Sequence, residues 1–334
     1  MSKVYHVILS GGVGSRLWPV SRKSQPKQYI PLFGQKSLFQ LTAERNIALA
    51  DRIVVVENKD NYLLSQGDLT RAGITDYTEI IEAAPRNTAA AIAFSAFAAQ
   101  PEDILLVTPS DHIITGAEAY AQAVTEAIEL ARIGHIVTFG ILPTKPETGY
   151  GYIEYQGQEV LSFREKPDAR TAQSFLDSGS FLWNSGMFCF RAETFLDELR
   201  KYEPAIYEAS LRTWHARTNT FLPERETGEI PSLSVDYAVM ERSDRIKVVE
   251  ARFGWSDLGS FESIWEYLHE QGEQQHFIQN NLVLGCSKHV EFLGVDGLVL
   301  VETPDAILVL DKNNSQDVKK IYERLEKEQP ELVN

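Results

Sequence analysis

Short apolar runs alternate with longer helical patterns over the first 141 residues of the chain. The apolar runs lie at residues 4–9, 53–56, 104–107 and 136–141, and the helical patterns at 38–49, 89–99 and 117–131, with Asn87 and Thr88 as candidate helix caps. Strands that alternate with helices predict an α/β fold with a doubly wound, mainly parallel sheet. Ligands of such sheets bind beyond the carboxyl ends of the strands, so the loops after Leu9 and Val107 are the first candidates for a site.

The pattern becomes less regular after Gly149. This part contains aromatic-rich strands, a helix at 192–202 and a long loop at 223–231. A polar stretch at 270–279 follows and is typical of a linker. Short apolar groups broken by Gly, Asp and Pro then predict a small all-β segment over 282–310, closed by a charged helix at 316–327. We therefore predict two domains, a large one over residues 1–268 and a small β-rich one over residues 280–334.

The formal net charge of −15 argues against a nucleic-acid or anionic-membrane partner, because both attract a broad basic surface. Acidic residues are unevenly distributed, since none occurs among the first 43 residues. The basic residues of that segment are Lys3, Arg16, Arg22, Lys23, Lys27 and Lys36. A basic segment in an acidic protein favours a compact site for a small polyanion, in which Arg22 and Lys23 would add to the positive field without fixed contacts.

Only Cys189 and Cys286 carry thiols, and we interpret both as small buried hydrophobic residues rather than a disulfide or a metal pair. The apolar runs are shorter than the roughly 20 residues that a membrane span requires. The N-terminus is not typical of a secretory signal, because its apolar stretch is short and runs into glycines. These features predict a protein of the reducing cytoplasm that does not bind membranes.

A glycine-rich segment after the first predicted strand contains Gly11, Gly12, Gly14, Ser15 and Arg16. Glycines allow successive backbone N–H groups to turn toward a phosphate, and a guanidinium adds a bidentate contact. The segment lacks the Gly-Lys-Ser/Thr ending of a P-loop, and Leu17 stands where a dinucleotide-binding motif has its third glycine. Lys27 adds a point charge, so the segment predicts a different kind of phosphate loop.

Asp111 lies just past the predicted strand at 104–107, beside Ser110 and His112. A carboxylate at this edge of a sheet suits Mg²⁺, which proteins often hold with one or two carboxylates plus substrate phosphates. Asp257 is a second candidate, far away in sequence. Whether the two carboxylates converge is open at this point.

The segment from Gly11 to Gln28 resembles the signature of sugar-nucleotide pyrophosphorylases. Within that family, the segment is similar to the signature of mannose-1-phosphate guanylyltransferases, because it contains Trp18-Pro19, Ser21-Arg22 and Pro26-Lys27-Gln28. Further motifs of that family recur in order along nearly the whole chain. They are Pro85-Arg86-Asn87-Thr88-Ala89, Pro109-Ser110-Asp111-His112, Gly149-Tyr150-Gly151-Tyr152-Ile153, Phe163-Arg164-Glu165-Lys166-Pro167, Asn184-Ser185-Gly186-Met187-Phe188, Ser234-Val235-Asp236-Tyr237 and Gly254-Trp255-Ser256-Asp257-Leu258-Gly259.

The resemblance implies a Rossmann-like nucleotidyltransferase domain with a short left-handed β-helix-like tail, often with a role in homodimer formation. Nucleotide contacts are implied for Gly11, Gly12, Gly14, Ser15, Arg16, Pro85, Asn87, Thr88 and Ser110. Sugar-phosphate contacts are implied for Gly149, Tyr150, Gly151, Glu165, Lys166 and Asn184. Asp111 and Asp257 are implied as the Mg²⁺ ligands, and Arg16, Lys27 and Lys166 as the catalytic residues.

The reaction implied by the resemblance is mannose 1-phosphate + GTP → GDP-mannose + pyrophosphate. A phosphate nucleophile is already ionised and needs no general base, so we expect a structural role for His112. Two alternatives stay open: another nucleoside triphosphate and hexose 1-phosphate pair, or a catalytically silent regulatory homologue. No isomerase domain of the longer bifunctional relatives is expected after Asn334.

Overall fold

The computed structural model describes residues 2–32 and 34–334. The chain divides into two compact units. The first comprises the chain up to Gly11, Thr42–Ser110 and Ile114–Trp255, and the second comprises Gly12–Leu41, Asp111–Ile113 and Ser256–Asn334. The domain boundaries expected from the sequence, at residues 268 and 280, stay a prediction.

Strands and helices follow one another along the whole chain. The strands are β1 (Val4–Ser10), β2 (Arg52–Asn58), β3 (Tyr77–Glu82), β4 (Ile104–Pro109), β5 (Ile113–Thr115), β6 (Ile136–Ile141), β7 (Tyr152–Gln156), β8 (Glu159–Arg164), β9 (Phe181–Arg191), β10 (Phe221–Leu222), β11 (Ile246–Ala251), β12 (Gly254–Ser256), β13 (Phe277–Ile278), β14 (Asn281–Leu284), β15 (Leu298–Glu302) and β16 (Ile307–Asp311). The helices are α1 (Leu38–Asn46), α2 (Tyr62–Arg71), α3 (Asn87–Ala98), α4 (Ala117–Arg132), α5 (Ala169–Ser178), α6 (Ala192–Tyr202), α7 (Pro204–His215), α8 (Glu224–Gly228), α9 (Phe261–Glu270) and α10 (Val318–Glu328).

Ten strands of the first unit form one sheet in the order β10-β3-β2-β1-β4-β9-β6-β11-β8-β7. The strands from β10 to β4 are parallel, and Leu9 of β1 lies opposite Val56 and Pro109, so the carboxyl ends of β1, β2 and β4 meet at one edge. β9 is antiparallel to both β4 and β6, and β8 is antiparallel to β7 and β11. The α/β prediction is confirmed, as a mixed sheet whose parallel half includes the strand that precedes the glycine-rich segment.

Helices cover both faces of this sheet. Leu105 and Val107 of β4 pack in the cluster that contains α3, whereas Ile104 and Leu106 pack in the cluster that contains α4. Successive side chains of a strand point to opposite faces, so β4 is buried from both sides. This arrangement explains the unbroken apolar run in the sequence and confirms the doubly wound prediction.

The second unit contains a four-stranded sheet in the order β13-β14-β15-β16. Its inner side chains, including Val299, Val301 and Leu308, pack in one cluster with residues of α9 and α10. Leu17 and Trp18, next to the glycine-rich segment, belong to the same cluster. The predicted β-rich C-terminal segment and its closing helix are therefore confirmed.

Two expectations from the sequence were wrong, that of a loop at 223–231 and that of a buried Cys286. The predicted loop contains α8. The stretch at 270–279 contains a short 3-10 helix (Gln274–His276) and β13, and its role as a linker stays a prediction. Such short elements bury few side chains, so their composition resembles that of loops. Cys286 is only half-buried, while Cys189 is buried as expected, and both are free thiols.

Within the described ranges, no helix combines the length and apolarity needed to cross a membrane.

Because Glu57, at the end of β2, is buried, we expect the free energy of unfolding to depend on pH. Its side chain is 1% exposed, and one oxygen accepts from the Ser65 hydroxyl while Oε1 has no hydrogen-bond partner in the part of the chain that the structure describes. Burial raises the pKa of Glu57 from 4.5 to about 8. The protonated form is therefore favoured in the folded state, so its stabilising contribution is present below the unfolded pKa and is lost as the pH rises toward 8.

We expect the free energy of unfolding to fall by up to about 3 kcal/mol between pH 5 and pH 8 through Glu57 alone. Glu57→Gln is neutral at every pH and should remove most of that dependence. Urea unfolding of both proteins at the two pH values measures the difference, with the exposed Glu331→Gln as the control. Equal pH dependence in wild type and Glu57→Gln would contradict the assignment.

Candidate active site

The part of the glycine-rich segment that lies in the second unit, from Gly12 onward, is folded closely against the residues that follow it. Gly12 and Gly14 adopt left-handed conformations, with φ of 85° and 77°. A Cβ atom at position 14 would lie 2.8 Å from Cβ of Lys27 and 3.1 Å from Oγ of Ser21, so only glycine fits there. The Ser21 hydroxyl and the Lys27 backbone N–H both donate to the carbonyl of Val13.

The Lys27 ammonium joins two segments of the second unit that are distant in sequence. Its side chain is 4% exposed, and Nζ lies 2.6 Å from Oδ2 of Asp111. Nζ also donates to the backbone carbonyl of Asp257 at 2.5 Å. Asp111 and Asp257 therefore meet at one ammonium group.

Asp111 keeps its negative charge in these surroundings. Burial opposes ionisation of its carboxyl, but the Lys27 ammonium and His112 outweigh that effect and hold the pKa of Asp111 below its ordinary value. Its side chain is 29% exposed, and Nε2 of His112 lies 3.7 Å from Oδ1. The carboxylate is thus both ionised and accessible.

Arg16 and Asp257 share the space beside Gly259. The Gly259 N–H donates to Oδ1 of Asp257 at 2.9 Å. A Cβ atom at position 259 would collide with Oδ2 of Asp257 and would lie 3.0 Å from Nη2 of Arg16. The missing side chain therefore permits the guanidinium and the carboxylate to lie close together.

The carboxylates of Asp111 and Asp257, both in the second unit, are the candidate ligands for a metal ion, although the group of Asp257 that contacts Lys27 is its backbone carbonyl. Across residues 2–32 and 34–334, no group of three or more His, Cys, Asp or Glu side chains could hold an ion by itself. Two carboxylates supplemented by substrate phosphates and water are an ordinary ligand set for Mg²⁺. The donor set therefore fits a Mg²⁺ ion that binds together with a phosphate-bearing substrate.

Arg22 and Lys23 have fixed partners, contrary to the expectation from the sequence. The Arg22 guanidinium forms a bidentate ion pair with Asp305, at 2.9 and 2.6 Å. The Lys23 ammonium lies 2.6 Å from a carboxylate oxygen of Glu326. Both acidic partners come from the C-terminal segment, some 300 residues away, which charge counting along the sequence does not detect.

The loop before α3, in the first unit, carries the implied nucleotide contacts Pro85, Asn87 and Thr88. The helix cap is Arg86, so the prediction of Asn87 and Thr88 as caps was wrong. Asn87 has a φ of 69° and its Oδ1 accepts from the Thr88 N–H at 2.9 Å, while the Thr88 hydroxyl accepts from Val235 N at 2.8 Å. These side chains therefore shape the loop instead of closing the helix.

Ser110 lies at the same edge of the first unit's sheet as the end of β1. Its hydroxyl donates to the Ser10 hydroxyl at 3.4 Å. Ser10 directly precedes Gly11, which is exposed, and a Cβ atom at position 11 would meet nothing within 4 Å. The two implied nucleotide contacts Gly11 and Ser110 thus follow neighbouring parallel strands.

Glu82, at the end of β3, was not selected from the sequence. Its side chain is 6% exposed, and burial raises its pKa to about 8 although the backbone N–H of Arg86 donates to the carboxyl. Oε1 has no hydrogen-bond partner within the described residues. A buried acceptor without a donor, at the carboxyl end of a parallel strand, fits a donor supplied by a ligand.

A cluster of polar residues in the first unit contains Gly151, Glu165, Lys166 and Asn184. Asn184 N donates to the Gly151 carbonyl at 2.8 Å, and a Cβ atom at position 151 would lie within 3.5 Å of Cβ of Asn184 and against the Glu165 carboxylate. Lys166 has a φ of 45° and pairs with Glu165, while its side chain is 63% exposed. The structure therefore brings together Gly151 and Asn184, which lie 33 positions apart in the sequence.

Asp236 belongs to this cluster as well. The sequence analysis named the motif that contains Asp236 but assigned the residue no role. Its Oδ1 accepts from the Asn184 amide at 2.8 Å. Burial and the neighbouring Glu165 raise the pKa of Asp236. The acidic residue within the Ser234–Tyr237 motif was the signal that could have identified it.

The implied contacts Gly149 and Tyr150 adjoin the same cluster. Gly149 N donates to a Glu147 carboxylate oxygen at 2.9 Å. The Tyr150 ring packs edge-on against Trp183 and Trp255, with centroids 5.2 Å away in each case. Tyr152 is fully buried, so it is a packing residue.

Comparisons with known proteins agree with this arrangement. Residues 5–274 match the nucleotidyl transferase family, and residues 278–325 match the MannoseP isomerase/GMP-like beta-helix domain. The xanthan biosynthesis protein XanB of Xanthomonas campestris pv. campestris is 40% identical over 344 residues, which cover 97% of this chain and 74% of that protein. Mannose-1-phosphate guanylyltransferase of Escherichia coli K12 is 40% identical over 353 residues, with the same coverage of both chains.

A solved structure supports the same assignment over nearly the full chain. The structure described as mannose-1-phosphate geranyltransferase from Thermus thermophilus has a TM-score of 0.82 and 32% sequence identity, and the match covers 97% of this chain and 99% of that one. Identity at this level over both units exceeds a likeness of fold alone. The chain belongs to the nucleotidyl transferase family and, within it, to the mannose-1-phosphate guanylyltransferases.

Proposed function

We propose that this protein transfers GMP from GTP to mannose 1-phosphate and releases pyrophosphate. The observation that carries the proposal is the Lys27 ammonium, which contacts the Asp111 carboxylate and the Asp257 backbone carbonyl beside the Gly12–Arg16 segment. This arrangement combines cations for a triphosphate with carboxylates for a metal ion. The names of the relatives that share both matched regions support the choice of substrates.

In the proposed reaction, an oxygen of the sugar phosphate attacks the α-phosphorus of GTP. A new P–O bond forms as the bond to the β-phosphate breaks, and pyrophosphate leaves with the bonding electrons. Neither step needs a general base, because the nucleophile is an anion. The protein therefore contributes positioning and charge neutralisation, which are the main demands of phosphoryl transfer.

The residues of the second unit have distinct roles in this proposal. Backbone N–H groups of the glycine-rich segment, Ser15 and the Arg16 guanidinium hold the β- and γ-phosphates, and Lys27 neutralises the charge that develops on the leaving pyrophosphate. Asp111 and Asp257 would hold Mg²⁺, which when bound supplies a Lewis acid for the phosphoryl oxygens.

The position of Glu82 favours a nucleotide whose purine base carries hydrogen-bond donors on its edge. Guanine presents N1–H and N2–H₂ donors together, and a carboxylate can accept from both. Burial favours the protonated form of Glu82 in the free protein, and two donated hydrogen bonds would lower the pKa again and favour the carboxylate. Adenine, by contrast, presents an acceptor at N1. The buried Oε1 of Glu82, next to the Pro85–Thr88 loop, would thus gain the donor that it lacks within the described chain.

Pyrophosphate release with a panel of substrates tests the proposed function. We expect turnover with GTP and mannose 1-phosphate and much slower turnover with ATP, UTP or dTTP, or with glucose 1-phosphate. A preference for another pair would support one of the alternatives within the enzyme class. Binding of GTP without pyrophosphate release from any pair would instead indicate a catalytically silent regulatory homologue.

Lys166 is assigned to the phosphate of the sugar substrate. Lys166→Ala should raise the KM for mannose 1-phosphate by roughly 10- to 100-fold, because a hydrogen bond to a charged group is lost. The KM for GTP should change little. Lys247→Ala, which removes another lysine that pairs with a glutamate in the same unit, is the matched control. An unchanged KM for the sugar phosphate would refute the role of Lys166.

We further propose that the protein acts as a homodimer in the cytoplasm. Ile307 and Val309 are 60% and 53% exposed on β16, which is the edge strand of the C-terminal sheet. An apolar edge strand favours pairing with a second copy of the chain, which supports the homodimer. The free thiols are compatible with a reducing compartment, which supports the cytoplasm. Sedimentation should give a dimer at micromolar concentration and a monomer for Val309→Lys, and a wild-type monomer would contradict the proposal.

A further inference from the structure

The segment that carries the phosphate-binding residues is fastened to the C-terminal segment of the same unit. The Trp18 indole N–H donates to the carbonyl of Leu332 at 2.8 Å, and the Lys23 N–H donates to the carbonyl of Val333 at 2.9 Å. Arg22 and Lys23 add their ion pairs to Asp305 and Glu326. Residues on the carboxyl side of the glycine-rich segment thus have partners from the C-terminal part of the chain, mainly through their side chains.

A further contact from the C-terminal segment is made with Arg16, one of the phosphate-binding residues. Nη1 of Arg16 donates to Oε1 of Gln316 at 2.9 Å. The other terminal nitrogen, Nη2, faces the space beside Gly259 and the Asp257 carboxylate. The hydrogen bond from Nη1 to Gln316 restricts the plane of the guanidinium, and Arg binds phosphate through that planar arrangement.

The turn that carries Gln316 is itself well fixed. Gln316 lies in a 3-10 helix, Lys312–Asp317, that is capped by the Asp311 carboxylate through the Asn313 N–H at 2.9 Å. The neighbouring Ser315 is fully buried and donates to the carbonyl of Lys312 at 2.6 Å. The amide oxygen of Gln316 is therefore presented from a rigid support.

We propose that Gln316 is a positioning residue for triphosphate binding, which orients the Arg16 guanidinium from the C-terminal segment. The inference rests on the proposed function for the identity of the nucleotide, but it concerns phosphate binding alone. The C-terminal segment thereby becomes part of the nucleotide site. Gln316 contacts no substrate in this proposal and acts through Arg16.

Gln316→Ala tests the proposal, with Asn314→Ala as the matched control on the same exposed turn. We expect the Kd of the Mg²⁺ complex of GTP and that of inorganic triphosphate to rise about fivefold in Gln316→Ala, which corresponds to the loss of one hydrogen bond. The KM for mannose 1-phosphate and the melting temperature should match those of Asn314→Ala. A purely structural role would instead lower the melting temperature and change both substrates alike.

A double-mutant cycle with Arg16→Ala decides whether Gln316 acts through Arg16. In the Arg16→Ala background, Gln316→Ala should change the Kd of triphosphate by less than about twofold. An unchanged Kd in the single variant, an equal fivefold effect in both backgrounds, or no triphosphate binding by wild type would overturn the proposal. Because inorganic triphosphate lacks base and sugar, a wild-type protein that binds it but fails to turn over GTP would refute only the proposed function.

Discussion

Asp111→Asn should abolish metal-dependent turnover while the fold is retained. The substitution keeps the shape of the side chain but removes the charge that would hold Mg²⁺ and that pairs with Lys27. Loss of a metal that contributes several kcal/mol to the transition state corresponds to a fall in kcat of roughly 10³-fold. Pyrophosphate release at saturating substrates, measured over a range of Mg²⁺ concentrations, checks this expectation.

Asp296→Asn is the matched control for Asp111→Asn, because Asp296 also lies in the second unit and accepts from a side-chain amide at the surface. Its kcat should equal that of wild type. Thermal unfolding distinguishes a local loss of function from a loss of fold. Turnover by Asp111→Asn within a few-fold of wild type would show that this carboxylate is no metal ligand.

Lys27→Met should lower kcat/KM for GTP by roughly 10²- to 10³-fold, since both a phosphate contact and an ion pair are lost. The substitution preserves most of the volume of the side chain but removes the ammonium that contacts Asp111 and the Asp257 carbonyl. The leaving pyrophosphate is then no longer neutralised, and the Asp111 carboxylate loses its partner. Removing one partner of a largely buried pair is costly because the other charge remains.

The two losses can be separated by kinetics. Single-turnover rates report the chemical step, whereas the Kd for GTP reports phosphate binding in the ground state. We expect both to change in Lys27→Met, while Lys59→Met, which removes a surface lysine of the first unit, should change neither. A Lys27→Met protein with a normal rate of the chemical step would exclude a role in neutralising the leaving group.

Much of the fold follows from the pattern of apolar residues. The strand predicted at 136–141 and the helix predicted at 192–202 have the same bounds in the structure, because each has a clear apolar pattern and ends shortly before a proline, Pro143 or Pro204. α8 and β13 were missed, since elements of two to five residues leave too little periodicity to detect. The antiparallel placement of β9 between β4 and β6 depends on long-range pairing and has no local signal.

The candidate site divides in the same way. Gly14 was predicted as a phosphate-loop glycine, and the structure adds that Lys27 and Ser21 leave no room for a side chain there. Asp236 was overlooked because a lone acidic residue in a motif has many structural explanations. Only its hydrogen bond with Asn184 and the proximity of Glu165 place it in the polar cluster.

The sequence by itself determined the α/β class and, through its motifs, the family, and it predicted the phosphate-binding character of the glycine-rich segment. These properties depend on local periodicity, backbone freedom and residue order, all of which are visible along one dimension. Only the tertiary structure decided that Asp111 and Asp257 meet at Lys27, that Arg22 and Lys23 have fixed partners and that Gln316 contacts Arg16. Each of these contacts joins residues 84 or more positions apart, and the pairing of such residues depends on how the whole core packs.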